Sequence, residues 1–147
     1  MNINKFTLKA QETIQSAIQL AQEFGHQEIS PAHILAVLVK QSDGIIPSIL
    51  SKLEVSKENF YKDIETILNR KPQISGSSQQ PYLSAELNKI FTDAQKEADR
   101  LKDEYLSTEH IFLATIRDKN ELTNLYKKYN ITAVSYTHLT LPTICSV

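Results

Sequence analysis

Apolar residues recur every three or four positions along most of the first 69 residues, which is the spacing of one face of an α-helix. The first helix is predicted to follow Thr7, a candidate N-cap, and to end at Gly25, where a left-handed backbone costs little. Ser30-Pro31 predicts the next helix start, because Pro needs no N–H at the first helical position. A short third helix and a fourth helix after Ser56 complete a four-helix unit.

The helical pattern stops at residues 70–82 and then starts again. This stretch contains two prolines, a glycine and a cluster of Ser and Gln, which predicts an irregular connection. Ser84 and Ser107 are candidate caps of a fifth and a sixth helix. Apolar residues at 122, 125 and 129 predict a short seventh helix. The second half therefore repeats the order of elements in the first.

A short phrase occurs in both halves: SPAHI begins at Ser30 and STEHI begins at Ser107, 77 positions later. At that offset the two halves share five identical pairs, namely Ala17/Ala94, Ala21/Ala98, Ser30/Ser107, His33/His110 and Ile34/Ile111. Because caps, apolar faces and helix lengths also recur in the same order, we interpret the chain as a duplicated helical unit. We predict an all-α fold with a first repeat over 1–69, a linker over 70–82 and an incomplete second repeat over 83–134.

The pattern of the second copy breaks off before a fourth helix. Residues 135–147 have no helical period and no charged side chain, so we expect a non-native or disordered tail that is set aside in fold reasoning. A missing last helix is expected to leave the apolar faces around Leu122, Leu125 and Tyr129 under-covered. Such a loss of coverage predicts reduced stability.

Composition and charge exclude several classes of protein. The 147 residues are 41% apolar and 22% charged, which is typical of one globular domain. The formal net charge of −1 gives no support to a nucleic-acid partner, which a basic patch would indicate. A single cysteine allows no intrachain disulfide, and no apolar run reaches the ~18 residues of a membrane span. We expect a soluble cytoplasmic protein without a membrane or nucleic-acid partner.

The residues that could carry chemistry fit no enzyme site. The three glycines lack the spacing of a phosphate-binding loop, so no nucleotide cofactor is expected in this chain. His33 and His110 have no further metal ligands at suitable spacing, and we interpret both as local packing residues beside a helix cap. No nucleophile is accompanied by a base and an orienting acid in a known arrangement. We therefore expect neither catalytic residues nor a metal.

The most informative difference between the copies lies in the first turn of the two helices that begin with the repeated phrase. Glu109 stands in the second copy where the first copy has Ala32. A carboxylate at that place complements the positive end of the helix dipole. The difference also predicts that one half presents a polar contact surface that the other half lacks.

The residues that carry these features resemble a known family. NKFTLKAQETIQSAIQLAQEFGHQEISPAHILAVLV resembles the first repeat of the Clp N-terminal domain, and LSAELNKIFTDAQKEADRLKDEYLSTEHIFLATI resembles the second repeat. The connection NRKPQISGSS is more similar to that of the ClpB branch, the protein disaggregases, than to that of ClpC or ClpA. The resemblance extends from residue 1 to about residue 133.

This resemblance implies a pseudo-twofold pair of four-helix repeats above a hexameric AAA+ ring. It implies binding of unfolded or aggregated polypeptide and delivery to the ring, in cooperation with the DnaK chaperone system. ATP and magnesium would belong to the parent protein. The matching positions of the family's polar substrate-binding cluster are Thr7, Asp103 and Glu109. Candidates for an apolar groove near the junction of the repeats are Leu83, Leu87, Ile90 and Phe91.

An alternative within the same family is an adaptor-binding domain of a ClpC-type or ClpA-type protease unfoldase. The ClpC branch uses paired acidic pockets for phosphoarginine. Ala32 stands where one of those acids is wanted, which disfavours that mode.

Overall fold

A computed structural model describes residues 3–41, 44–74 and 80–133 of the chain. Within these residues the fold is all-α, apart from two strands of two residues each and a short 3-10 turn at Ile3–Lys5. The helices are α1 Leu8–Phe24, α2 Pro31–Lys40, α3 Ile45–Lys52, α4 Lys57–Asn69, α5 Ala85–Arg100, α6 Thr108–Arg117 and α7 Thr123–Lys128. The strands are β1 Glu28–Ile29 and β2 Tyr82–Leu83. The predicted order of helices is confirmed.

The predicted helix boundaries are set by side-chain caps. Thr7 Oγ1 accepts from the Ala10 N–H at 3.1 Å, and Ser84 Oγ accepts from the Leu87 N–H at 3.1 Å. Gly25 ends α1 with a φ of +72°, as its position predicts. The equivalent residue after α5 is Lys102, which takes the same left-handed region at a φ of +59° without being glycine. A side chain in that region costs about 1 kcal/mol, so the turn is maintained by the surrounding structure.

The two halves exchange the segments that precede their first helices. The strand pairing places Ile29 beside Leu83, and an isolated parallel bridge places Phe6 beside Leu106. The shift of 77 positions converts one pair into the other, so the two contacts are pseudo-equivalent. The backbone bonds agree, since the Thr7 N–H donates to the Leu106 carbonyl at 2.9 Å and the same bond at the other junction measures 3.0 Å. Each half therefore supplies a backbone segment that pairs with the other half.

The identical alanine pairs explain how closely the helices pack. Ala17, Ala21, Ala94 and Ala98 all have 0% exposure, on the faces of α1 and α5 that are turned toward the core. A larger side chain there would push the helices apart, at a typical cost of 1–3 kcal/mol for overpacking. Their identity across the two copies follows from this shared steric limit.

The apolar residues in and beside α7 are better covered than the sequence predicts. Leu122 and Leu125 are 0% and 6% exposed, so the expectation that their faces are under-covered is wrong for both. Tyr129 packs edge-on against Phe60 of α4, with ring centroids 5.2 Å apart. Its hydroxyl donates to the Asp63 carboxylate at 2.5 Å, and the Lys128 ammonium lies 2.8 Å from the same carboxylate. Residues 135–147, the predicted tail, lie outside the described residues.

The contact between the end of α7 and α4 shifts the pKa values of two side chains. Hydrogen bonds from Lys128 and Tyr129 lower the pKa of the Asp63 carboxyl. Burial and the neighbouring Asp63 raise the pKa of the Tyr129 hydroxyl to about 12. The hydroxyl therefore stays protonated and remains a donor at neutral pH.

Tyr129→Phe is expected to lower the free energy of unfolding by about 1 kcal/mol, because it removes one hydrogen bond to a charged acceptor and keeps the ring packing. Tyr105→Phe is the matched control, since Tyr105 is 49% exposed. Urea unfolding followed by far-ultraviolet circular dichroism measures both. Equal effects of the two substitutions would show that the Asp63 contact contributes nothing specific.

Candidate functional site

The N-terminus of α6 is organised by a reciprocal cap between Ser107 and His110. The Ser107 N–H donates to Nδ1 of the imidazole at 2.9 Å, and the His110 N–H donates back to Ser107 Oγ at 3.4 Å. Because Nδ1 accepts a hydrogen bond, these partners assign the proton of the neutral ring to Nε2. That Nε2–H donates to Asp103 Oδ2 at 2.8 Å. The prediction that His110 bonds locally at a capped helix start is confirmed.

The structure brings the three predicted polar residues to this helix end. Asp103 is bonded to His110, Glu109 is the second residue of α6, and Thr7 is tied to the preceding loop through Leu106. We call this region the α6 corner and define it by Thr7, Asp103, Ser107, Glu109 and His110. The Asp103 side chain is 40% exposed and Glu109 is half-buried, so two carboxylates are available to a ligand.

Two large apolar side chains flank the α6 corner. Leu8 follows Thr7 in the chain and is 77% exposed, while Tyr105 precedes the bridge residue Leu106 and is 49% exposed. Both belong to segments that the Thr7–Leu106 backbone bond holds together. The corner therefore combines negative charge with exposed apolar surface.

The N-terminus of α2 repeats the cap but has a different acceptor. The Ser30 N–H donates to His33 Nδ1 at 2.9 Å, which again assigns the ring proton to Nε2. That Nε2–H donates to His26 Nδ1, which lies 2.8 Å away and accepts the hydrogen bond. His26 lies 77 positions before Asp103. The same bond thus ends on a neutral ring in the first copy and on a carboxylate in the second.

The His26–His33 pair is buried and neutral. His33 is 0% exposed, and burial, together with His26 and Lys71, lowers its pKa to about 4. His26 is 4% exposed, and burial followed by Lys71 also lowers its pKa. A proton added to either ring would lack both solvent and a carboxylate partner within the pair.

We call the start of α2 the α2 corner and define it by His26, Ser30, Ala32, His33 and Ser84. A carboxylate contacts this corner, although Ala32 supplies none. The Ala32 N–H donates to Oε2 of Glu121 at 2.9 Å, and the other oxygen of that carboxylate pairs with the Lys71 ammonium. Glu121 comes from the segment before α7, in the other copy. The prediction that one half presents a polar contact surface that the other half lacks stays a prediction, and at α2 the carboxylate comes from Glu121 and not from residue 32. No pattern in the sequence indicates a contact between residues so far apart in the chain.

The predicted apolar groove is largely core. Leu87 and Ile90 are both 0% exposed, so the interpretation of these two as groove residues is wrong. They belong to the face of α5 that is buried in the core, which leaves them no free surface. Leu83 is half-buried and engaged in the strand pair. Phe91, 5% exposed, lines a cavity of about 420 Å³ whose other walls include Phe6 and two lysines.

Residues 3–41, 44–74 and 80–133 form neither a metal cluster nor a membrane-spanning helix. These residues include no group of three or more His, Cys, Asp and Glu side chains suited to a metal ion. None of the helices formed by these residues is both long enough and apolar enough to span a bilayer.

Comparison with known families assigns the fold. The Clp repeat (R) N-terminal domain family matches residues 5–129 of the chain. The chain belongs to this family. The match spans both copies of the duplicated unit.

Curated relatives of this Clp N-terminal domain are named as chaperones. It is 40% identical over 128 residues to the chaperone protein ClpB of Bdellovibrio bacteriovorus, covering 86% of this chain and 15% of that protein. The chain therefore spans about 15% of the length of that curated relative. The Hsp104 N-terminal domain of Candida albicans has a TM-score of 0.81 at 20% identity, covering 91% of this chain and 87% of the other.

A third relative was solved with a peptide. The complex of a ClpV N-domain with a VipB peptide has a TM-score of 0.75 at 20% identity, covering 92% of this chain and 86% of the other. At this identity the likeness establishes the fold of the Clp N-terminal domain and nothing about its ligand.

Acid is expected to destabilise the domain through the histidine pair. The pKa of His33 is about 4 in the folded chain and about 6.5 in the unfolded chain, so the unfolded chain binds more protons between these values. The free energy of unfolding should fall by about 3 kcal/mol as the pH drops from 6.5 to 4. Urea unfolding at half-unit pH intervals measures this slope.

His33→Gln is the control for this pH dependence. Glutamine at the third helical position can still accept from the Ser30 N–H, as in a capping box, but it does not titrate. The slope between pH 6.5 and 4 should be reduced in this variant. An unchanged slope would assign the acid sensitivity to other groups.

Proposed function

We propose that this chain is the substrate-recognition domain of a ClpB-type disaggregase and that it binds unfolded or aggregated polypeptide at the α6 corner. One observation carries the proposal: Thr7, Asp103 and Glu109 belong to segments that are joined at the start of α6. Leu8 and Tyr105, which adjoin Thr7 and Leu106 in the chain, are exposed. The binding is non-covalent and requires no cofactor in this chain.

The physical match is between the corner and a chain that has lost its fold. Unfolded polypeptide exposes apolar side chains, which Leu8 and Tyr105 can contact. The carboxylates of Asp103 and Glu109 favour segments that also carry Lys or Arg. Contacts this few give weak binding, which suits a domain that must pass its ligand onward.

The relatives support the chaperone assignment. The most informative is named as the chaperone ClpB, and a ClpV N-domain of the same fold was solved with a peptide. Because the chain spans only about 15% of that ClpB, the rest of the machine is part of the proposal. We place this domain on an AAA+ ring that hydrolyses ATP with magnesium, acts with the DnaK system and works in the cytoplasm.

Glu109→Ala should weaken binding of an unstructured peptide of Lys, Leu, Gly and Ser, called here the basic peptide. The loss of one carboxylate at the rim is expected to reduce affinity roughly three- to tenfold, or about 1 kcal/mol. Fluorescence anisotropy of the labelled peptide measures the affinity, and circular dichroism should show unchanged helicity.

Glu58→Ala is the matched control for this experiment. Glu58 is also the second residue of its helix, α4, and is exposed. Its replacement by alanine therefore removes the same negative charge from the first turn of a helix. Equal affinities of the Glu109→Ala variant and the unmodified chain would refute the site. Capture of a folded adaptor with no binding of the basic peptide would instead favour an adaptor-binding role.

A further inference from the structure

The cavity of about 420 Å³ beside Phe91 lies between the first residues of the chain and one face of α5. Its α5 wall consists of side chains spaced three or four positions apart, namely Asn88, Phe91, Thr92, Gln95 and Lys96. Lys5 and Phe6 form the other wall, and none of the five residues that define the α6 corner takes part. We call this space the α5 cavity. Its volume is within the range of about 300–1,000 Å³ that is usual for ligand pockets.

Backbone bonds and ring packing hold both walls of the α5 cavity in place. The Lys5 carbonyl accepts from the Leu106 N–H at 2.7 Å, and Phe6 pairs with Leu106 in the parallel bridge. The Phe6 and Phe91 rings pack against each other with centroids 5.9 Å apart, and these residues are only 4% and 5% exposed. The cavity is therefore preformed, so a ligand can bind without the cost of ordering its backbone walls.

The charge on the lining of the α5 cavity has a single sign. The two charged residues among those that line it are Lys5 and Lys96, and both are exposed. Two carboxylates of α5 lie beside this lining. Lys96 interacts electrostatically with Asp93, and Gln95 Nε2 donates to Asp99 at 3.0 Å. A ligand in the cavity meets ammonium groups on the lining itself, so Coulomb attraction favours an anion over a cation.

The apolar floor of the cavity restricts which anion fits. The floor is formed by the Phe6 and Phe91 rings, which an inorganic anion would gain nothing by covering. The side-chain amides of Asn88 and Gln95 can hydrogen-bond to a carboxylate or to a peptide group. A ligand that matches every part of the lining therefore carries a carboxylate next to an apolar side chain. The carboxyl terminus of a polypeptide with an apolar last residue has this arrangement.

The two lysines occur in one copy of the duplicated unit only. The shift of 77 positions relates Lys5 to Tyr82 and Lys96 to Gln19, so neither ammonium group is repeated at the matching position. Both phenylalanines, in contrast, have apolar counterparts in the other copy. The duplicated fold accounts for the apolar floor, whereas it does not require the two lysines above it.

We propose that the α5 cavity binds the free carboxyl terminus of a polypeptide whose last side chain is apolar. The carboxylate pairs with Lys5 and Lys96, and the last side chain lies on the Phe6 and Phe91 rings. The inference rests on the proposed function for the origin of this ligand, because a domain that receives unfolded polypeptide also meets free chain ends. It adds a second site with the opposite charge preference, since the α6 corner favours segments that carry Lys or Arg.

The test compares three unstructured peptides of Gly and Ser that differ only at their last residue. The acid peptide ends in Phe with a free carboxylate, the amide peptide ends in Phe amide, and the glycine peptide ends in Gly with a free carboxylate. The side-chain amide resonances of Asn88 and Gln95 in the ¹⁵N-labelled 147-residue chain report on the cavity. The acid peptide should move both resonances saturably, with an affinity roughly tenfold above that of either other peptide.

Equal affinities of the acid and amide peptides would overturn the proposal, because the carboxylate would then contribute nothing. Equal affinities of the acid and glycine peptides would overturn it as well, because the rings would then have no part in binding. The same conclusion follows if the acid peptide moves neither resonance.

Lys5→Gln and Lys96→Gln each remove one ammonium group from an exposed position. Each should weaken binding of the acid peptide roughly threefold, and the double variant should weaken it roughly tenfold. Lys62→Gln is the matched control, since Lys62 is an exposed lysine in the middle of α4, and it should leave the affinity unchanged. Equal effects of the control and the cavity variants would reduce the binding to net charge and overturn the site.

The α6 corner is followed separately in the same chain. The basic peptide, with its carboxyl terminus amidated, and the backbone amide resonance of Glu109 report on that corner. Shifts at Asn88 and Gln95 with no binding at Glu109 would refute the proposed function there and support the α5 cavity. Binding at Glu109 with no shift at Asn88 and Gln95 would do the reverse.

Discussion

The hydrogen bond from the N–H of a capping serine to Nδ1 of the histidine three residues later determines both corners of this domain. It satisfies a backbone donor at the helix start and fixes which ring nitrogen carries the proton. The Nε2–H must then point at the residue seven positions earlier, which is Asp103 in one copy and His26 in the other. This local bond thereby determines which residue accepts the hydrogen bond from Nε2–H at each helix end.

The two copies share this bond and differ in the residues around it. At the α6 corner the imidazole holds a half-exposed carboxylate, and Glu109 adds a second one. At the α2 corner the imidazole is buried against a second neutral ring, and the nearest carboxylate crosses from the other copy. The same backbone thus supports an acidic open surface and a closed polar junction.

The features that the sequence predicts correctly are local ones. The hydroxyl caps, Gly25 and the buried alanine pairs each depend on residues within one helical turn or on a repeated steric limit. The assignment of Thr7, Asp103 and Glu109 to a binding site rests on the resemblance and stays a prediction. Two-residue strands have no period to detect, and Glu121 reaches Ala32 through tertiary packing alone. Leu87 and Ile90 were misassigned because an apolar helix face looks alike whether it lines a groove or the core.

The crossed pairing of Phe6 with Leu106 and of Ile29 with Leu83 also limits how such a protein can evolve. In a solenoid, each repeat stacks on the next and leaves an end to which another can be added. Here each copy gives its leading segment to the other and receives one in return, as in an isologous dimer, so the two pairings in the described residues are both formed between these two copies. The arrangement is closed at two copies: a third would find no segment to exchange with, and a single copy would lack half of its own junction.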